Sequence, residues 1–79
     1  MISAYILVMM KPGSTDKAIA AMRKIEKVEK ISIVAGEYDI VVRVRVTHLE
    51  DLLKVTEKLQ LIEGVLKTTT HVIEKELTL

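Results

Sequence analysis

The stretch IVVRVRV, residues 40–46, alternates with a period of two, and one of its rows is wholly apolar: Ile40, Val42, Val44 and Val46 stand against Val41, Arg43 and Arg45. Only a β-strand sends successive side chains to opposite faces in this way. The chain begins with a second run of the kind. There Ile2, Ala4, Ile6, Val8 and Met10 share one row, and Tyr5, Leu7 and Met9 lie on the other. Both of these rows are apolar, as in a strand covered on each side. Between the two runs the period changes. Lys11-Pro12-Gly13-Ser14-Thr15 breaks the first strand and offers hydroxyls for a helix start, and Ala18, Met22, Ile25 and Val28 then recur at helical spacing. A strand from about Lys30 to Ala35 follows and stops at Gly36, and the next occupies about Asp39 to Val46.

The same order then repeats. Thr47-His48-Leu49-Glu50 has the form of a capping box, with Thr47 at the N-cap. The helix it opens carries Leu49, Leu52, Leu53, Thr56 and Leu59, and Gly64 supplies a left-handed stop. Val65 to about Leu77 reads as the last strand. An offset of 34 residues brings Val28-Glu29-Lys30-Ile31 onto Ile62-Glu63-Gly64-Val65. Helix-pair repeats of this period need an aromatic pattern that is absent. Two split βαβ units therefore predict one α+β domain over residues 1–79, ferredoxin-like βαββαβ, a four-stranded antiparallel sheet with two helices on one face.

That topology leaves the other sheet face uncovered, with Tyr5, Leu7, Met9 and Val41 on it. At about 25 cal/mol per Å² such a patch would cost several kcal/mol. Composition points the same way: 49% of the chain is hydrophobic, with no Trp or Phe and only two Tyr, so short aliphatic side chains exceed what so small a core can hold. A second copy, sheet against sheet in a two-fold dimer (a dimeric α/β barrel), is the economical cover.

Charge and motifs exclude several functions. The twelve basic and eleven acidic residues are interleaved, without the basic stripe of a nucleic-acid binder. The largely apolar N-terminal stretch, ten residues long and ended by Lys11-Pro12, is too short for a membrane span and lacks the basic leader of a signal segment. With no cysteine there is neither a disulfide frame nor a thiolate site, and a cytoplasmic protein is expected. His48 and His71 lie in distant elements and make no metal set, and no nucleophile elbow, phosphate loop or zinc motif occurs. No cofactor and no catalysis are expected.

Gly36-Glu37-Tyr38-Asp39 is the stretch with binding chemistry. Gly36 can leave backbone N–H groups free for a carboxylate, and Asp39 can receive an ammonium group, the two charges of a free amino acid. Thr68 and Thr70, on one face of the last strand, can add hydroxyls. The same residues also read as a plain hairpin turn with Asp39 capping a backbone N–H, and local sequence leaves both readings open. Arg43 and Arg45 are expected to pair with acids such as Glu74 or Glu76.

VEKISIVAGEYDIVVRVRV, then a capped helix and LIEGVLKTTTHVIE, resembles the effector-binding domain of the leucine-responsive (Lrp/AsnC) regulators, often called RAM. The likeness spans nearly the whole chain. It rests on the Gly36–Asp39 turn, Arg43 and Arg45, the Gly64-Val65 step, and Thr68 and Thr70. It implies the ferredoxin-like fold, dimers that assemble by fours into an octamer, and amino acids or related small metabolites bound between dimers near the turn. By position, Gly36, Tyr38 and Asp39 would line that pocket, with Thr68 and Thr70 as further candidates. Regulators of this kind carry an N-terminal helix-turn-helix domain, whereas this chain starts at its first strand. A stand-alone effector module without direct nucleic-acid contact is the expectation. Its alternatives are a ligand-free partner of full-length Lrp/AsnC regulators and a small barrel enzyme.

Overall fold

The computed structural model describes residues 1–79. Its elements are β1 (Ile2–Met10), α1 (Thr15–Met22), β2 (Val28–Ile33), β3 (Ile40–Val46), α2 (Leu49–Gln60) and β4 (Val65–Val72). The sheet runs β2-β3-β1-β4, antiparallel at every join, so the expected ferredoxin-like βαββαβ arrangement is what forms. The shortest dimension is 17 Å, room for one sheet and one layer of helices.

The apolar rows read from the sequence are the core. Ala4, Ile6, Val8 and Met10 of β1 and Ile40, Val42, Val44 and Val46 of β3 are buried under Ala18 and Met22 of α1 and Leu52, Val55 and Leu59 of α2. Tyr5, Leu7, Met9 and Val41 point the other way, as expected, but only Tyr5 is exposed and the rest are half-buried. The register explains why this face is less greasy than its apolar members suggest. Tyr5 lies between Arg43 and His71, Leu7 between Val41 and Thr69, and Met9 beside Lys67. Lys30 and Ser32 of β2 complete the outer rows.

Three boundaries differ from the sequence reading. Val28, placed on a helix by its spacing, opens β2 instead, because it pairs with Val44 and a branched side chain suits that pleat. β4 stops at Val72 rather than near Leu77, since its partner β1 runs out: Val72 pairs with Ala4, and Ile73 N–H donates the last bond, to Ser3 C=O at 2.9 Å. The capping box does not form. His48 is the N-cap, in extended conformation and without a side-chain cap, while the Thr47 hydroxyl points at the Met1 sulfur 3.8 Å away. Nor does Ser14 cap α1 through its side chain. On α2 the buried stripe is Leu52, Val55 and Leu59, and Leu49 and Leu53 remain exposed.

Gly64 does supply the left-handed turn, at φ +92°. A Cβ there would lie 2.8 Å from Ser14 Oγ, and the Gly64 carbonyl accepts from Lys11 N–H at 2.7 Å. No helix is long and apolar enough to cross a membrane.

Candidate functional site

The β2–β3 connection, residues 34–39, is closed by Asp39. Its N–H donates to Val8 C=O at 3.0 Å and its C=O accepts from Val34 N–H at 2.9 Å. Its side chain works too: Oδ2 accepts from Met10 N–H at 2.8 Å. That bond falls where the β1–β4 register shifts between Met9 and Met10, a point at which the ladder would otherwise lose a rung. Asp39 thus caps a backbone donor, as the plain-turn reading had it. Its Oδ1 accepts from no donor in the protein.

The loop it closes has spare donors. The N–H groups of Ala35, Gly36, Glu37 and Tyr38 make no hydrogen bond within the chain. Gly36 adopts φ +157°, nearly extended, and a Cβ there would meet nothing within 4 Å. Its contribution is therefore open access to the backbone rather than a tight left-handed bend. Tyr38 is half-buried and anchored, its hydroxyl 2.9 Å from Thr69 Oγ1 on β4.

Gly36, Tyr38 and Asp39 are thus together, on one short loop. Thr68 and Thr70 are not with them. They pair with Val8 and Ile6 and so face the helix side of the sheet, where Thr68 Oγ1 accepts from Gln60 Nε2 at 3.1 Å. The threonine at the turn is Thr69, opposite Leu7 on the open face. Sequence reasoning missed it because TTT gives no phase of its own. Knowing that Leu7 faces outward would have identified Thr69, but only with the β1–β4 register in hand.

The Lrp/AsnC ligand-binding domain model matches residues 3–78. The chain belongs to that family. A helix-turn-helix (HTH-type) transcriptional regulator of Pyrococcus furiosus is 40% identical in an alignment 74 residues long that covers 89% of this chain and 49% of the relative. The chain spans about half the length of the curated relatives it matches, and these are named as transcriptional regulators. Among solved structures, TTHA0845 from Thermus thermophilus superposes with a TM-score of 0.91 at 28% identity, covering 99% of both chains. A feast or famine regulatory protein from M. tuberculosis, solved with L-methionine, gives 0.85 at 28% identity, covering 99% of this chain and 53% of that one. Family membership accounts for the fold and makes this a ligand-binding domain of the Lrp/AsnC kind.

Proposed function

We propose that this Lrp/AsnC domain is an amino-acid-sensing module, without catalysis, that binds a small zwitterion at the Gly36–Asp39 loop and thereby shifts the association of its copies. The observation that carries the reading is the pairing of unused backbone donors at Ala35–Tyr38 with the uncommitted Oδ1 of Asp39. A carboxylate suits the first and an ammonium group the second. The L-methionine held by the M. tuberculosis relative supports this ligand class. Tyr38, pinned by Thr69, gives the loop a rigid wall. Thr68 and Thr70 would join a pocket only from the helix side of β4, in a contact with another copy. The working assembly is a sheet-to-sheet homodimer, with four dimers forming the octamer, in the cytoplasm. A ligand that completes its site between copies stabilises whichever assembly forms that site.

Calorimetric titration with the twenty amino acids, paired with light scattering, tests the reading. Binding of at least one of them with a change in mass is expected, and Asp39→Asn weakens it about tenfold or more by removing the charge while retaining an acceptor for Met10. Silence toward all twenty would end this reading.

A second reading has its own support, the 40% identity with half of an HTH-type regulator. On it, the domain docks on full-length regulators without a ligand. Recovery of such a regulator by affinity purification from native extract, unchanged in Asp39→Asn, would favour it.

A further inference from the structure

Away from the effector loop, the open sheet face carries a latch. Arg43 lies at the middle of β3 opposite Tyr5 of β1, on the two central strands, and so near the centre of the face. Glu76 reaches it from the C-terminal segment. Arg43 Nη1 donates to Glu76 Oε2 and Nη2 to Oε1, each at 2.9 Å. Nη1 also donates to the Tyr5 hydroxyl at 3.2 Å, Nε lies 3.4 Å from a Glu29 oxygen, and the guanidinium carbon stands 5.4 Å from the Tyr5 ring centre. Beside the pair is a hollow of about 400 Å³ lined by Tyr5, Lys30, Ser32, Val41, Arg43 and Glu76.

The segment that brings Glu76 there is barely attached. After Ile73, no backbone group of residues 74–79 bonds to the rest of the domain, and the Arg43–Glu76 pair is the segment's sole polar tether. Ordering six residues with one exposed ion pair is a poor bargain, because backbone entropy opposes it at each residue. The strap is therefore held by little besides that pair, and it lies over the ground where a second copy would pack.

We infer that in the sheet-to-sheet dimer the two C-terminal straps exchange, Glu76 of each copy binding Arg43 of the other. This rests on the dimer proposed above. Closing that interface over Arg43 encloses a guanidinium; Glu29 meets only its Nε, at 3.4 Å, and losing the two bonds to Glu76 there would be strongly unfavourable. The carboxylate must be kept, and two-fold symmetry presents an identical one from the facing copy. Charge complementarity supports the exchange: Lys30, Arg43 and Arg45 are grouped on the face against the one acid Glu29, and the strap carries Glu74 and Glu76 against the one base Lys75. Facing sheets pack about 10 Å apart, so the reach to the other copy is comparable with the fold back onto its own. Exchanged, the latch contributes two ion pairs to association. Retained within each chain, it contributes none.

Charge reversal distinguishes the two arrangements. Arg43→Glu alone and Glu76→Arg alone each put like charges together, and each weakens the homodimer at least about tenfold. Mixing the two variants sets the introduced glutamate of one chain against the introduced arginine of the other, and the native Arg43 against the native Glu76. Exchange predicts that the mixture dimerises as wild type does, read by analytical ultracentrifugation with one variant labelled. Salt of about 0.5 M shortens screening to roughly 4 Å and removes general attraction between the oppositely altered chains. The double variant Arg43→Glu/Glu76→Arg restores the pair in either arrangement and verifies that the altered side chains permit folding. A dimeric double variant with a mixture no tighter than its parents overturns the exchange and leaves the dimer standing. A monomeric wild type overturns the dimer itself, and the exchange with it.

Discussion

At the residue scale, Asp39 holds two positions at once. Its backbone joins Val8 and Val34 and its Oδ2 caps Met10 N–H at the end of β1, so three bonds converge on this residue, one of them made by its side chain. Removing the carboxylate strands a part-buried N–H. Asp39→Ala is expected to destabilise the domain by about 1–3 kcal/mol in urea denaturation, and Asp39→Asn, which can still accept, by clearly less. The stability gap between the two variants reports the cap, and lost binding in the stable one reports the ligand site. Much of this was legible beforehand: the glycine, the two acids and the tyrosine of the turn stand in adjacent positions, and both roles of Asp39 were open from the residues alone. Thr69 was not legible, because three consecutive threonines look alike until a neighbouring strand says which one faces outward.

At the scale of elements, α2 separates what periodicity can assign from what packing decides. Leu49 and Leu53 lie one turn apart and flank the core stripe, so their hydropathy places them beside it while the sheet leaves them exposed. Leu59 is fully buried. Thermal or urea unfolding should find Leu59→Ala about 2–5 kcal/mol less stable than wild type, and Leu53→Ala within about 0.5 kcal/mol of it. The missing capping box follows a similar rule. Thr47 has the right identity and spacing, but β3 ends at Val46, and the chain turns so that His48 takes the N-cap position. Strand ends likewise depended on partners, as Val28 and Val72 show.

For the whole molecule, the open face and its strap respond to acid. The hydrogen bonds from Arg43, chiefly, then the charges of Arg43, Lys30 and Arg45, hold the Glu76 carboxyl below its ordinary value of 4.5, against a smaller opposing desolvation. A carboxyl lowered in the folded state contributes stability above its unfolded value and loses it as pH falls through the folded one. The charge of Glu76, and with it the ion pair to Arg43, should therefore persist at neutral pH and be lost only as pH falls through that lowered value, below 4.5. Carboxyl-detected NMR titration checks this: Glu76 is expected to titrate below the ordinary 4.5, and to move back up toward it in Arg43→Gln. By itself the sequence determined the two βαβ units, the core rows of β1 and β3 and the bare sheet face, because these follow from short-range period and composition; the family was legible only as a resemblance, carried by the Gly36–Asp39 turn and the strands around it. Only the tertiary structure decided where strands stop, which threonine meets Tyr38, and that Glu76 rather than Glu74 makes the two-bond pair with Arg43. Those depend on register and chain path, and a bond between residues 33 positions apart leaves no trace in local pattern.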